Sequence, residues 1–184
     1  LFGEHNLLNA LAVIAIADHL KIPLQIIAGA LETFDGIKRR QEIRGEKRQI
    51  TVIDDFAHHP TAVRETVRAV KSVHSKGRLI AVFEPRTNTS MRSIFQNEYL
   101  QSFEMADLIC IRHPPLLKKI PDGQRFSSRQ LVNDLKSRGK DAHYFPNTDT
   151  IIEFLLKTVK PHDLILIMSN GGFDNIHQRL LESL

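Results

Sequence analysis

The stretch VIDDFAHHPTAV, residues 52–63, sets two acids and two histidines where an apolar run stops and a helical pattern starts. A carboxylate at a strand end can accept two hydrogen bonds from a ribose diol, and it can equally order the turn that follows. Successive strand residues face opposite ways, so Asp54 and Asp55 cannot both meet one ligand, and Asp55 is the candidate for the diol. His58 and His59 alternate in the same manner. Two metal ligands on one helix face need i, i+4 spacing, so no metal site is expected from this pair. His59 is placed to cap the following helix, with Pro60 at its first position. His58 either meets a phosphate or another substrate anion at that helix N-terminus, or it is a hydrogen-bonded structural histidine.

Three more stretches end apolar runs in the same way: Glu84-Pro85-Arg86, Arg112-His113 and Ser169-Asn170-Gly171-Gly172. The glycines of MSNGGFDNIH let backbone amides approach an anion beside a helix N-terminus, or simply make a tight turn. Arg86 and Arg112 can each grip a carboxylate through a planar fork; an exposed arginine is otherwise just solvated. Any one of these signals is weak, and their convergence at strand ends is what points to a site. The chain has no G-x-x-x-x-G-K-[ST] loop. If ATP is involved, its phosphates are held by a part of the protein outside this chain.

These residues need a sheet to gather them. HNLLNALAVIAIADHL is apolar at helical spacing and reads as a buried helix, and IPLQIIAGALETF as a second, with Pro23 in its first turn and Gly36 just past its end. RRQEIRG and RQITVID look like extended segments either side of EK, a possible hairpin. PTAVRETVRAVKSVHS is amphipathic, with Val63, Val67 and Val70 on one side. From there strand-like runs (RLIAVFEP, DLICIR, AHYF, DLILIMS) alternate with helical ones (SMRSIFQNEYLQSFEMA, SSRQLVNDLKSRG, TDTIIEFLLKTV, FDNIHQRLLESL). Continuous apolar strands between helices predict an α/β fold: a Rossmann-like, mostly parallel sheet with helices on both faces, one or two strands at its start being antiparallel. A seam is expected near Thr33–Gly36, dividing a helical piece, 1–35, from a complete α/β domain, 36–184.

Bulk properties narrow the partners. At 184 residues, 42% hydrophobic and 25% charged, the chain suits one such domain plus a leftover piece of another. It starts in mid-pattern without an initiator Met, so a piece of a longer chain is expected. No run is long and apolar enough for a bilayer, and LFGEHNLLNA has neither the basic nor the apolar region of a signal peptide. Neither a membrane nor a nucleic-acid partner is therefore expected. The single cysteine, Cys110, sits in an apolar strand as a small hydrophobe and fits a reducing cytoplasm. The formal charge of +4 concentrates in GIKRRQEIRGEKR. That patch is a solvated hairpin or a surface for small anions; without interleaved aromatics or a helix-turn-helix pattern, nucleic acid ranks last.

Three motifs in order carry a family resemblance. GEHNLLNALA resembles the G-x-H-N-x-x-N-x-x-A segment closing the central ATPase domain of Mur ligases. GIKRRQE resembles the start of their C-terminal domain, and DDFAHHPTAV the D-D-[YF]-[GA]-H-H-P-T signature of the branch acting on UDP-N-acetylmuramate. The match is collinear and covers essentially the whole chain. Within the branch, VFEPRTNTSMR and MSNGGFDNIHQRLL resemble the members that join the tripeptide L-alanyl-γ-D-glutamyl-meso-diaminopimelate. Members that add L-alanine are expected to carry F-Q-P-H-R-[YF] and G-A-G type segments there.

The resemblance implies roles. Asn6 and Asn9, with His5 nearby, line the adenine side of an ATP site. Arg40 crosses to the nucleotide phosphates, Asp55 binds the ribose, and Phe56 replaces a common tyrosine, keeping the ring without the hydroxyl. His58, with His59 beside it, and the turn Ser169, Asn170, Gly171, Gly172, Phe173 face the incoming peptide, with Arg86 and Arg112 for its carboxylates. Arg40 and His58 are the implied catalytic pair. ATP phosphorylates the muramoyl lactyl carboxylate, the tripeptide amine attacks the acyl phosphate, and Mg2+ neutralises phosphate charge. This domain packs against its own ATPase domain and is inactive alone. The alternatives are the L-alanine ligase, a non-catalytic nucleotide or peptidoglycan-fragment binding module, and a metal hydrolase on Asp54, Asp55, His58 and His59, which the spacing disfavours.

Overall fold

In the computed structural model, which describes residues 2–74 and 76–184, the chain opens with two helices, α1 (Glu4–His19) and α2 (Leu24–Glu32). A hairpin follows, β1 (Glu42–Lys47) and β2 (Ile50–Asp55). Helices and strands then alternate: α3 (Pro60–Val73), β3 (Leu79–Phe83), α4 (Tyr99–Ser102), β4 (Leu108–Arg112), α5 (Ser128–Ser137), β5 (Ala142–Phe145), α6 (Thr148–Thr158), β6 (Leu164–Met168) and α7 (Ile176–Ser183). The six strands form one sheet in the order β1-β2-β6-β3-β4-β5. Only the β1–β2 pair is antiparallel. This is the mixed α/β sheet that apolar strands separated by helices imply.

The strands bury both faces, so period-2 alternation sorts their residues between two cores. Leu79, Ala81 and Phe83 of β3 join Val63, Val67 and Val70 of α3, with Tyr99 and Phe103, and Leu131 and Leu135 of α5. Ile80 and Val82 point the other way, to Ile151 and Leu155 of α6 and Ile176 and Leu180 of α7. Full burial of such a side chain contributes roughly 1.5–3 kcal/mol. The valine stripe therefore holds α3 in place despite the modest helix propensity of β-branched residues. Cys110 lies in the second core, where burial pushes its thiol well above the ordinary value and leaves no thiolate.

Several elements differ from expectation. The first helix is not buried: no residue of α1 is buried, and Leu11 and Ile16 are 52% and 63% exposed. Among the described residues the helix packs on α2 and α3. The contact with α3 is made at Gly3, whose φ of 102° and closeness to Ala69 Cβ (2.5 Å from where a Cβ would stand) both require glycine. The hairpin turns at Arg48–Gln49, both at positive φ, rather than at Glu46-Lys47. β1 runs on through Lys47 because its Nζ donates to the last carbonyls of α7, Leu181 O at 2.9 Å and Glu182 O at 3.1 Å. The expected helix over SMRSIFQNEYLQSFEMA breaks into a 3-10 turn, Ser93–Phe95, and the four-residue α4. Tertiary hydrogen bonds compete there: Tyr99 donates to His58 O, Ser102 to Pro60 O, and Ser93 N to Gln124 O. Ser75, at the end of the α3 pattern, lies outside the described residues.

At the N-terminal ends of β3 and β6 the fold is tied by one ion pair. Arg78 donates to both oxygens of Asp163, Nε at 3.1 Å and NH2 at 2.6 Å, and Lys160 N donates to Oδ2 at 2.8 Å. Burial raises the Asp163 carboxyl, but the bonds from Arg78 and Lys160 outweigh it and the net shift is downward. A depressed folded value stabilises the protein above the unfolded carboxylate range near pH 4, and that stabilisation is lost as pH falls through the folded value. Asp163→Asn is therefore expected to cost about 1–3 kcal/mol at pH 7 and progressively less below pH 4, measured by urea denaturation at each pH. An equal loss at both pH values would show that the carboxylate charge is not the cause.

Candidate active site

β2, β6 and β3 are neighbours, with Asp55 and Phe83 both level with Met168, so the segments that follow them emerge side by side. The helix after β3 lies on one face of the sheet and the helix after β6 on the other. A crevice opens where successive connections part in this way. Three of the four strand-end stretches meet around it, and the fourth, Arg112, reaches in from β4.

The two acids point apart, as strand alternation requires. Asp54 Oδ2 accepts from Arg39 Nε at 3.1 Å, and its Oδ1 lies 3.3 Å from His177 Nε2. Burial pushes the Asp54 carboxyl up, yet His177 and Arg39 together bring it below its ordinary value. Asp55 is also buried. Its Oδ1 accepts from Ala57 N at 2.7 Å, its Oδ2 from Gln41 N at 2.9 Å, and Arg40 stands 3.9 Å away. Burial raises Asp55 against all three of those partners. Each of its oxygens keeps a second lone pair for a ligand. Phe56 lies beneath both linker arginines, whose guanidinium carbons are 5.3 Å (Arg39) and 5.7 Å (Arg40) from the ring centroid.

An open cleft of ≈ 440 Å³ adjoins this end, lined by Phe2, Lys38, Arg40 and Gln41 among others. On the first turns of α1, Asn6 Nδ2 donates to Phe2 O, Asn9 is exposed, and His5 Nδ1 is buried without a partner. Among the described residues no three of His, Cys, Asp and Glu gather as a metal site.

On the other side, His58 Nδ1 sits 2.9 Å from Phe56 O, which places the ring proton on Nδ1 and leaves Nε2 as the acceptor. His59 turns away. It caps α3 by accepting from Thr61 N and packs edge-on against Phe95, with ring centroids 4.7 Å apart. Arg86, one-third exposed at its side chain, lies across Gly171, where a Cβ would stand 2.3 Å from Arg86 Cδ. That close approach is what the first glycine of the turn permits. Asn170 Oδ1 is buried and unpaired, and Gly172 is exposed.

Two expected peptide contacts sit differently. Phe173 is wholly buried among the residues of the second core, so it supports the turn from beneath. Arg112 is also buried, with one guanidinium nitrogen on Glu84 and the other on Asp174 Oδ2 at 2.6 Å. Its two terminal nitrogens are committed, and it forms the floor of the site. Phe173, Asp174 and Asn175 all have positive φ, so α7 begins three residues later than its pattern suggests. Strain of roughly 1–3 kcal/mol per such residue persists only where the surroundings dictate it; the Asp174 carboxylate is held by Arg112 and by Thr148 Oγ1 at 2.7 Å.

Sequence reasoning put Glu84 in a strand-end candidate stretch without giving it a role, and did not single out Arg39. Glu84, 0% exposed, accepts from Ser169 Oγ at 2.7 Å and from Arg112, with Arg86 at 3.7 Å. Arg39 binds Asp54 and the carbonyls of Ser169 and Gly171. The signal for Glu84 was present, an acid ending a wholly apolar strand. Nothing in KRRQE alone separates Arg39 from Arg40.

A doubly wound sheet with charge gathered at one crevice defines a ligand-binding α/β domain. Residues 39–171 match the family model described as Mur ligase, glutamate ligase domain, and the chain belongs to the Mur ligase family, whose C-terminal domain it carries. It is 40% identical, over all of its length, to 38% of the Escherichia coli UDP-N-acetylmuramate--L-alanyl-gamma-D-glutamyl-meso-2,6-diaminoheptandioate ligase. A crystal structure of a murein peptide ligase from Psychrobacter arcticus superposes with a TM-score of 0.76 at 36% identity, covering 98% of this chain and 37% of that one. The UDP-N-acetylmuramate–alanine ligase of Thermotoga maritima superposes at 0.80 with 27% identity, covering 100% and 38%. The chain thus spans about two-fifths of the length of the curated relatives it matches.

Proposed function

We propose that this chain is the amine-delivering domain of an ATP-dependent ligase joining L-alanyl-γ-D-glutamyl-meso-diaminopimelate to UDP-N-acetylmuramate. One observation carries it: Arg40 stands at Asp55 and Arg86 lies across the Ser169–Gly172 turn, at the level, adjacent ends of β2, β6 and β3. The first pair suits a nucleotide and the second an anionic peptide.

In this proposal Asp55 takes the ribose through its free lone pairs, with Phe56 below and His5, Asn6 and Asn9 toward the base. Bound ATP, with magnesium, would supply the phosphoryl group that activates the muramate carboxylate, its phosphates held outside this chain. Arg40, half-exposed and anchored to Asp55 only loosely, is free to extend toward the phosphates. His58 Nε2 accepts a proton from the incoming amine, Asn170 Oδ1 orients that amine, and Arg86 pairs with a peptide carboxylate. Arg112 and Phe173 act from below. The exposed apolar face of α1 and α2, including Val13, Ile22, Ile26 and Phe34, packs on the rest of the ligase. The protein works in the cytoplasm, and this chain alone does not turn over.

The tripeptide is favoured over L-alanine by the FEPRTNTSMR segment. Thr87 and Ser90 spend their hydroxyls on each other, Thr87 Oγ1 donating to Ser90 Oγ at 2.8 Å, which leaves Arg86 as the cation of that turn facing the crevice. In the full-length protein, phosphate release from ATP is expected only when UDP-N-acetylmuramate and the tripeptide are both present. ATP hydrolysis indifferent to the amine would leave a nucleotide-binding module instead.

A further inference from the structure

Arg39 is held through its backbone, its Nε and one terminal nitrogen. Its backbone N donates to Glu42 Oε2 at 2.7 Å, and its carbonyl accepts from Phe56 N at 2.7 Å. Its Nε donates to Asp54 Oδ2 at 3.1 Å. One terminal nitrogen, NH2, bridges two carbonyls of the β6–α7 turn, Ser169 O at 2.6 Å and Gly171 O at 2.8 Å. Asp54 is steadied in turn by His177 on α7. The residue sits at φ 58° in the linker before β1, and Gln41 two residues on is also left-handed, at φ 51°.

The turn held by Arg39 is the one that seats Arg86 across Gly171. Arg40 shares the Phe56 ring with Arg39 but otherwise turns to the cleft and Asp55, and Gln41 N bonds Asp55 Oδ2. Three consecutive linker residues therefore hold two neighbouring strand ends, Arg39 the turn after β6 and Arg40 and Gln41 the Asp55 end of β2.

We infer that Arg39 is a positioning residue that couples the linker to the amine-receiving turn, so that the linker conformation presenting Arg40 also sets the turn and Arg86. Arg39 touches neither substrate. A planar fork serves this task because one guanidinium reaches a carboxylate and two carbonyls in fixed directions; an ammonium on a flexible stem keeps the charge opposite Asp54 without the bridge.

The inference rests on the ligase function proposed above, and the test separates the two. In the full-length enzyme, steady-state kinetics are measured for wild type, Arg39→Lys and Arg39→Ala, varying tripeptide and ATP in turn. The expected result is a KM for tripeptide raised about tenfold or more in both variants, with the KM for ATP within about twofold of wild type. Arg39→Lys keeps the charge, so it stands in should Arg39→Ala fail to fold. An unchanged tripeptide KM in Arg39→Lys overturns the coupling, as does an equal rise in both KM values. A wild type without tripeptide-dependent phosphate release instead overturns the ligase function itself.

Discussion

Arg40→Ala in the full-length protein is expected to lower turnover by about 10²- to 10³-fold while leaving the melting temperature nearly unchanged. The size is that of removing one preorganised donor from a site of developing negative charge. The stability expectation follows from how little holds the side chain. It is 47% exposed, 3.9 Å from Asp55 Oδ1 and stacked at 5.7 Å on Phe56. Partly exposed pairs of this kind contribute about 0–1 kcal/mol. Arg39, one residue earlier, is held to Asp54 and to the Ser169 and Gly171 carbonyls and serves as the contrast. Turnover within threefold of wild type would remove Arg40 from the chemistry.

Glu84→Ala is expected to cost about 3–5 kcal/mol of folding stability, the largest single effect on this domain. Glu84 is fully buried, and removing its carboxylate leaves Arg112 as a buried cation with only Asp174 for a partner, and Ser169 Oγ without its acceptor. Arg112 Nε already lacks a bond. Glu84→Gln keeps the shape and one acceptor, so a smaller loss is expected, with Arg86 freed from its 3.7 Å neighbour. Urea denaturation of the three proteins checks the order. A loss below about 1 kcal/mol for Glu84→Ala would mean that solvent reaches Arg112 and replaces the carboxylate.

Much of the fold was legible because local pattern and tertiary demand agree. Unbroken apolar runs such as LILIM fit only a strand covered on both faces, and the valine spacing of α3 fixes its inner side. Legibility failed where tertiary bonds override pattern. Around Ser93–Ser102 the Ser93 amide leaves the helix for Gln124 O, and the Tyr99 and Ser102 hydroxyls reach His58 O and Pro60 O, none near in sequence. Phe173 reads as part of a peptide-facing turn by position, yet its left-handed backbone turns the ring into the core. Within the site, strand alternation correctly parted Asp54 from Asp55, and Pro60 correctly marked His59 as a cap. The distinction between residues that face the crevice and those that hold it up, Arg86 against Arg112 or Arg40 against Arg39, depends on burial, which no local motif encodes.

The most direct test of the whole is amine selectivity. Full-length protein is supplied with ATP, magnesium and UDP-N-acetylmuramate, and phosphate release is measured against rising tripeptide or rising L-alanine. A crevice built around Arg86 and the Ser169–Gly172 turn predicts kcat/KM at least 10²-fold higher for the tripeptide, the order expected when a charged contact is made to one substrate and missing from the other. Equal or greater kcat/KM for L-alanine would contradict it.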